Sequence, residues 1–305
     1  MRNTFMNILF ERASNDPKII FITGDLGYSV VERFADELPN QFLNVGIAEQ
    51  SMVGVAAGLA SEGFRCFVYS IANFPTMRCL EQIRNDVCYH NLPVTIVSVG
   101  AGVSYGSLGY THHAVEDLAI MRPLPNMVIG SPADPMETIA LTNFFVNRNG
   151  PGYLRLGKNG EPAVHSSTPE LSVGKPIKVR PGDQGVIFAT GNVLNIANEA
   201  ASIASRDLGI EISVWSFPFI KPIAIDSLRE ILSDAPFVLT VEEHVRSGGF
   251  GSAILEACSD NDIDLQIKSV FLNETPLTAV GSADYIRLQR GLSVDSIISS
   301  IKRCL

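Results

Sequence analysis

The chain has 305 residues, about twice an average domain of roughly 150, and its 46% hydrophobic and 18% charged residues exclude disordered, collagen-like and coiled-coil classes. Lys and Arg number 23 against 32 Asp and Glu, a net charge of −9 with no basic tract to follow a phosphate backbone, so nucleic acid is not an expected partner. No apolar run of about 18 residues occurs and Met1-Arg2-Asn3-Thr4 leads into polar positions, which predicts no membrane span, no signal segment and a cytoplasmic location.

In chain order, β-branched runs alternate with stretches of helical period. Strands are predicted at 19–23, 41–45, 66–71, 94–99, 127–129 and 153–156. Helices are predicted at 49–61, through Met52, Val53, Val55, Ala56 and Leu59, and at 75–90, through Met77, Leu80, Ile83 and Val87. Alternation of this kind builds a mostly parallel sheet with helices on its faces. A polar stretch opened by Gly157-Lys158-Asn159-Gly160-Glu161-Pro162 and closing near Pro181-Gly182-Asp183 reads as a linker, 161–183, between domains at 1–160 and 184–305. The second half restarts the pattern. Its strands are expected at 185–190, 210–216, 237–241 and 267–272, and its helices from Asn192 (as N-cap) to 206, at 226–232, at 251–258 and from Ser293 onward.

Cys66, Cys79, Cys88, Cys258 and Cys304 form no CxxC pair and are expected as free buried thiols, and no metal ligand set is predicted. A mean hydropathy of +0.19 is high for a chain that stands alone and points to apolar surface covered by another subunit.

Several motifs carry chemistry on paper. Gly152 to Lys158 has the spacing of a phosphate-binding loop, but Asn159 stands where a Ser or Thr must hold magnesium, and the interior is β-like. Gly102-Val103-Ser104-Tyr105-Gly106 follows the strand 94–99 as a nucleophile elbow would, with His244 far downstream, so a serine hydrolase using Ser104 is the rival reading. An elbow needs a helix starting at its nucleophile, whereas Ser107 to Thr111 continue as a Gly-rich loop. His112-His113 ends that loop before a helix expected near Ala114; adjacent side chains diverge, which disfavours a shared metal. The carboxyl end of a parallel strand is nonetheless where α/β sheets place ligands, and His112 is a site candidate. Glu49 opens its helix either as an acid facing the helix dipole or as a carboxylate presented at the mouth of the sheet.

Taken together, Asn44-Val45-Gly46-Ile47-Ala48-Glu49-Gln50, Ala72-Asn73-Phe74 before Gln82-Ile83-Arg84, Gly109-Tyr110-Thr111-His112 before Glu116-Asp117-Leu118-Ala119, Asp134 after Ser131-Pro132, and Val241-Glu242-Glu243-His244 with Gly248-Gly249 resemble the carboxyl-terminal half of a transketolase. The resemblance spans nearly the whole chain. It implies a two-domain α/β fold, a pyrimidine-binding domain followed by the transketolase carboxyl-terminal domain, as in the beta subunit of a split enzyme. It also implies thiamine diphosphate as cofactor, with Glu49 sharing a proton with the aminopyrimidine, Phe74 stacking on it and His112 bonding the donor sugar. Gln50 and Ile71 fall among the cofactor-binding positions, Ile71 where many transketolases carry a second aromatic.

The family's Gly-Asp-Gly motif, which holds the diphosphate and its Mg2+ or Ca2+, is absent from the 305 residues. The resemblance therefore implies an alpha partner subunit that supplies it, in an α2β2 assembly. Leu108 stands where the sugar-phosphate enzymes carry an Asp, Gly100 where they carry a His, and Lys158 where an Arg grips phosphate, which implies ketol transfer on a non-standard sugar. Deoxyxylulose phosphate synthases and the beta subunits of 2-oxoacid dehydrogenases share the architecture and remain alternatives, as does a non-catalytic regulatory homologue.

Overall fold

In the computed structural model, which describes residues 1–275 and 278–305, the first half runs α1 (Arg2–Asn15), β1 (Ile19–Thr23), α2 (Glu32–Glu37), β2 (Phe42–Asn44), α3 (Glu49–Ser61), β3 (Arg65–Ile71), α4 (Leu80–Gln82), β4 (Val94–Val99), α5 (Asp117–Met121), β5 (Val128–Gly130), α6 (Pro135–Asn147) and β6 (Gly152–Leu156). The second half runs β7 (Ile177–Arg180), β8 (Val186–Ala189), α7 (Leu194–Leu208), β9 (Ser213–Ser216), β10 (Phe219–Lys221), α8 (Ile225–Leu232), β11 (Val238–Val241), α9 (Phe250–Ser259), β12 (Ile267–Val270), α10 (Ala283–Gln289) and α11 (Val294–Lys302). Strands such as β1 and β4 are buried at every residue, as parallel strands covered on both faces must be.

Two sheets result. The first has the order β10-β5-β6-β4-β3-β1-β2 and the second β12-β11-β8-β9-β7. Each is parallel except at one edge, where β10 runs antiparallel to β5 and β7 antiparallel to β9. Thr23 lies opposite Tyr69, Ile71 opposite Val99, and Val99 opposite Leu156. The carboxyl ends of β1, β3, β4 and β6 therefore finish along one rim, and the loops that leave it meet there.

Several local expectations are corrected. The stretch 75–90 is not one helix: a 3-10 turn (Met77–Cys79) leads into α4 and then a π-helical turn (Ile83–Cys88). Ile83, Val87 and Cys88 are all buried, and the five-residue step from Ile83 to Cys88 needs the wider turn to keep both on one face. The helix expected near Ala114 begins only at Asp117, because Ala114 and Gly102 exchange both backbone hydrogen bonds, at 2.8 and 2.9 Å. Asn192 does not cap α7; it is buried in a 3-10 turn and its Nδ2 lies 3.4 Å from Ser104 Oγ. Strand β7 falls inside the stretch read as linker, and α1, α2, α6, β10 and α10 are additional to the elements predicted. For α6 the signal was present, since Asp134 caps the Glu137 N–H at 2.9 Å with Pro135 in the first turn.

All five cysteines are free, four of them buried. Burial pushes the Cys66 and Cys79 thiols up to about 12, so both stay protonated and inert. Among the described residues no helix is long and apolar enough to cross a membrane.

Candidate active site

Glu49 is the first residue of α3, whose Met52, Val53, Ala56, Ala57 and Ala60 bury one face against the sheet. That packing pins the helix start at the rim and leaves Glu49 only 4% exposed. Its Oε2 accepts a hydrogen bond from Arg78 Nη1 at 2.8 Å. Next to it, Gln50 is exposed and its Nε2 donates to the Arg78 carbonyl at 3.1 Å.

The loop after β3 is bent by Ala72, a non-glycine residue at φ 45°. Such a conformation persists only where its surroundings hold it. Here they do: Ser98 Oγ and Thr76 Oγ1 donate to the Ala72 carbonyl, and its N–H donates to Val99 O. The bend places Asn73 to donate to the His113 carbonyl and Phe74 to face the rim. Ile71, by contrast, packs into the apolar cluster that includes Tyr69, Val99 and Tyr105.

His112 meets the Phe74 ring edge to face, with centroids 5.3 Å apart and planes at 70°, and its Nδ1 lies 3.0 Å from Thr111 Oγ1. His113 turns inward, fully buried, with its ring 6.3 Å from Tyr110. Burial and nearby Arg290 push its pKa down, so it stays neutral. The two imidazoles diverge, as adjacent residues on a loop should.

Gly100 has φ +102°, and a Cβ there would sit 2.3 Å from the Tyr105 ring. Tyr105 thus fills the space a side chain at position 100 would need. Its ring lies 6.5 Å from that of His112, with Lys158 Nζ 5.0 Å from its centroid. Leu108 projects from the same loop, 52% exposed.

Glu49, Phe74 and His112 therefore lie along one line of contacts at the rim, Glu49–Arg78–Phe74–His112–Tyr105–Lys158. Arg78, Asn73 and Tyr105 escaped the reading of the sequence. For Arg78 a signal existed: a cation four residues after an aromatic can meet it where the chain turns back, as it does between Phe74 and the 3-10 turn Met77–Cys79. A cavity of 430 Å³ lined by Lys178, Trp215 and Asp234 shares no residue with this line.

Ser104 is not an activated nucleophile. Its Oγ donates to Ala101 O at 2.6 Å and lies beside Asn192, while His244 is occupied elsewhere. His244 is buried between α5 and β11, with Nδ1 2.7 Å from Val245 O and Nε2 3.9 Å from Asp117. Asp117 also binds Arg155 at 2.7 Å and the Tyr153 hydroxyl at 2.5 Å. Glu243 accepts from the Val103 N–H and from Arg287, all at 3.0 Å, and Gly102 leaves room for it, since a Cβ there would lie 2.3 Å from the carboxyl. Glu242 accepts from Phe250 N and Gly251 N at the start of α9, and Gly249 permits the approach. The motif Val241 to His244 is a strut between the halves.

Residues 1–161 match the family model "Transketolase, pyrimidine binding domain", and residues 174–297 match "Transketolase, C-terminal domain". The chain is 37% identical over 268 residues to an apulose-4-phosphate transketolase subunit of Phocaeicola vulgatus, covering 87% of this chain and 86% of that protein. It is 31% identical over 300 residues to a 6-deoxy-6-sulfo-D-fructose transketolase subunit of Clostridium sp., covering 98% and 92%. A solved structure described as a split gene transketolase, inactive beta4 tetramer, superposes with a TM-score of 0.90 at 34% identity, covering 100% of this chain and 97% of that one.

Proposed function

The chain belongs to the transketolase family, and from that premise we propose that it is the beta subunit of a split enzyme that transfers a two-carbon ketol unit between sugars. The observation that carries the reading is the placing of Glu49, Phe74 and His112 along one line of contacts at the carboxyl rim of the first sheet.

The residues present fit the aminopyrimidine of thiamine diphosphate: a nearly buried carboxyl group beside a flat aromatic face. When bound, that cofactor supplies the nucleophilic carbon that carries the ketol unit. Glu49 holds a proton against the distal ring nitrogen, and α3 fixes its carboxyl without a loop's freedom. Phe74 orients the ring by stacking, a contact that rewards a planar partner. Ile71 is partly buried against the apolar cluster and would support the loop that carries Phe74. Gln50 anchors the loop that follows Phe74 through the Arg78 carbonyl. His112, packed beside Phe74, would bond an oxygen of the donor sugar and stabilise charge developing on it.

No Gly-Asp-Gly motif occurs in the chain, so the diphosphate and its Mg2+ or Ca2+ are held by an alpha subunit, in an α2β2 assembly with the sites at subunit interfaces. Exposed apolar side chains on the loops of the rim support that cover: Ile47 is 79% exposed, and Met77, Leu108 and Tyr110 are also open to solvent. The sequence has no basic tract and, among the described residues, no helix is long and apolar enough to cross a membrane; the cytoplasm is the proposed location.

The substrate side departs from pentose phosphate enzymes at three points: Leu108, the Gly100–Tyr105 exchange and Lys158. The two relatives are named for a sugar phosphate and a sulfonated sugar, both ending in a tetrahedral oxyanion. Lys158 suits such a group as a point charge without the fork of an Arg. We infer a non-standard ketose with a terminal oxyanion. The test is co-purification with an alpha chain carrying Gly-Asp-Gly, followed by assay of ketol transfer from a panel of phosphorylated and sulfonated ketoses; a complex inert toward all of them refutes the reading.

A further inference from the structure

We propose that Arg78 is a displaceable placeholder: in the chain without its partner, its guanidinium fills the seat between Glu49 and Phe74 that the aminopyrimidine takes, and the cofactor binds by expelling it. The proposal rests on the reading that Glu49 and Phe74 together clasp that ring.

Two contacts of one side chain motivate it. Arg78 Nη1 donates to Glu49 Oε2 at 2.8 Å, and Arg78 Cζ lies 4.7 Å from the Phe74 ring centroid. A guanidinium resembles an aminopyrimidine in shape: it is planar, it stacks on an aromatic face, and it places nitrogen groups against a carboxyl. On the proposed function the aminopyrimidine takes the carboxyl of Glu49 and a face of Phe74, the two groups that Arg78 contacts here. The Phe74 surface nearest His112 is already taken by an edge-to-face contact. Placeholder and cofactor ring therefore exclude one another.

Displacement involves the side chain alone. The backbone at position 78 is tied to α3 by Gln50 Nε2, which donates to the Arg78 carbonyl, while the Arg78 side chain is 47% exposed and free to swing outward. Among the described residues Glu49 is its one ion-pair partner. A half-exposed pair of this kind is weak. It occupies the seat until a ligand bound more firmly, with its diphosphate held by the partner, arrives. The arrangement delays cofactor capture until the subunits meet.

The test is calorimetric titration of thiamine diphosphate with Mg2+ into the complex of this chain with its Gly-Asp-Gly partner, using wild type, R78A and R78K. Removing a competitor that holds its seat through an ion pair open to solvent only on the Arg78 side and a cation–π contact should tighten binding by about tenfold in R78A. R78K, which can pair with Glu49 but cannot lie flat on Phe74, should fall between. In an E49Q background the gain from R78A should shrink, because the guanidinium has lost its anchor. Equal or weaker binding by R78A, with R78K restoring affinity, would overturn the proposal and make Arg78 a ligand of the cofactor. Absence of binding by both the wild-type and R78A complexes would instead bring down the cofactor reading on which the proposal rests. General damage to the fold would weaken binding, so tightening separates the placeholder from a merely structural role.

Discussion

Replacing Glu49 by Gln keeps the shape of a nearly buried side chain and removes its transferable proton. Ketol transfer by the two-subunit complex should fall more than about a hundredfold, the low end of general acid–base contributions, with sedimentation of the complex unchanged. Ser104→Ala, which loses only a local bond to the Ala101 carbonyl, should leave the rate near wild type. Steady-state assays of both variants check this; the opposite pattern would reinstate the hydrolase. On the proposed function, the neighbouring positions would set substrate choice. An unpaired sugar hydroxyl against Leu108 should cost about 1 to 3 kcal/mol, and the Gly100–Tyr105 exchange removes a donor besides. Xylulose 5-phosphate and ribose 5-phosphate are therefore expected to give specificity constants below about 10⁴ M⁻¹s⁻¹, the low end of ordinary enzymes. That Glu49, Phe74 and His112 lie near one another could be anticipated because each sits in a short motif at the carboxyl end of a strand of the same sheet. The place of Tyr105 could not, since its meaning lies in the vacancy at Gly100, a contact that spacing along the chain does not encode.

The turn from β11 into α9 places Glu242 and His244 two residues apart in a dry environment. Burial pushes the Glu242 carboxyl up to about 7 despite two backbone N–H donors, and burial pushes His244 down to about 4 despite the Asp117 charge. The two act on stability with opposite signs. Glu242, raised from 4.5, contributes stability that is present below that value and is lost as pH climbs toward 7. His244, lowered from 6.5, contributes stability that is present above that value and is lost as pH falls toward 4. Between about pH 4.5 and 6.5 the slopes offset. Unfolding free energies from denaturant titration should show E242Q gaining stability with rising pH across that window and H244N losing it, while wild type stays flatter. At this scale, the helix 49–61 was read to the residue because its small and apolar side chains keep one period throughout. The stretch 75–90 shows the same spacing, yet a period in sequence does not distinguish an α turn from the π turn that lets Ile83 and Cys88 share a face. Strand β10 is three residues long between Pro218 and Pro222, and its partner β5 lies some ninety positions earlier, so no local pattern marked it.

The molecule as a whole carries one side of a proposed cofactor site. The purified chain alone should therefore bind thiamine diphosphate weakly or not at all, and the affinity should appear on mixing with the alpha subunit; micromolar binding to the single chain in calorimetry would contradict this. That dependence could be read from the missing Gly-Asp-Gly motif. The joining of the halves could not, because it is made by side chains distant in sequence: Glu243 on the Val103 N–H, and Arg155, which donates to both Asp117 and the Glu243 carbonyl. Strand β10 goes further than these bonds. It leaves the second half to form the outer edge of the first sheet, and Lys221, its last residue, donates to the Arg122 and Leu124 carbonyls. Severing the chain between residues 161 and 176 would consequently strip the first fragment of its border and leave β5 with unpaired backbone groups, a template for any extended segment nearby. Such fragments would aggregate or recombine by exchanging β10 between copies. What sequence divides into two modules is, for folding and for protein engineering, a single indivisible unit.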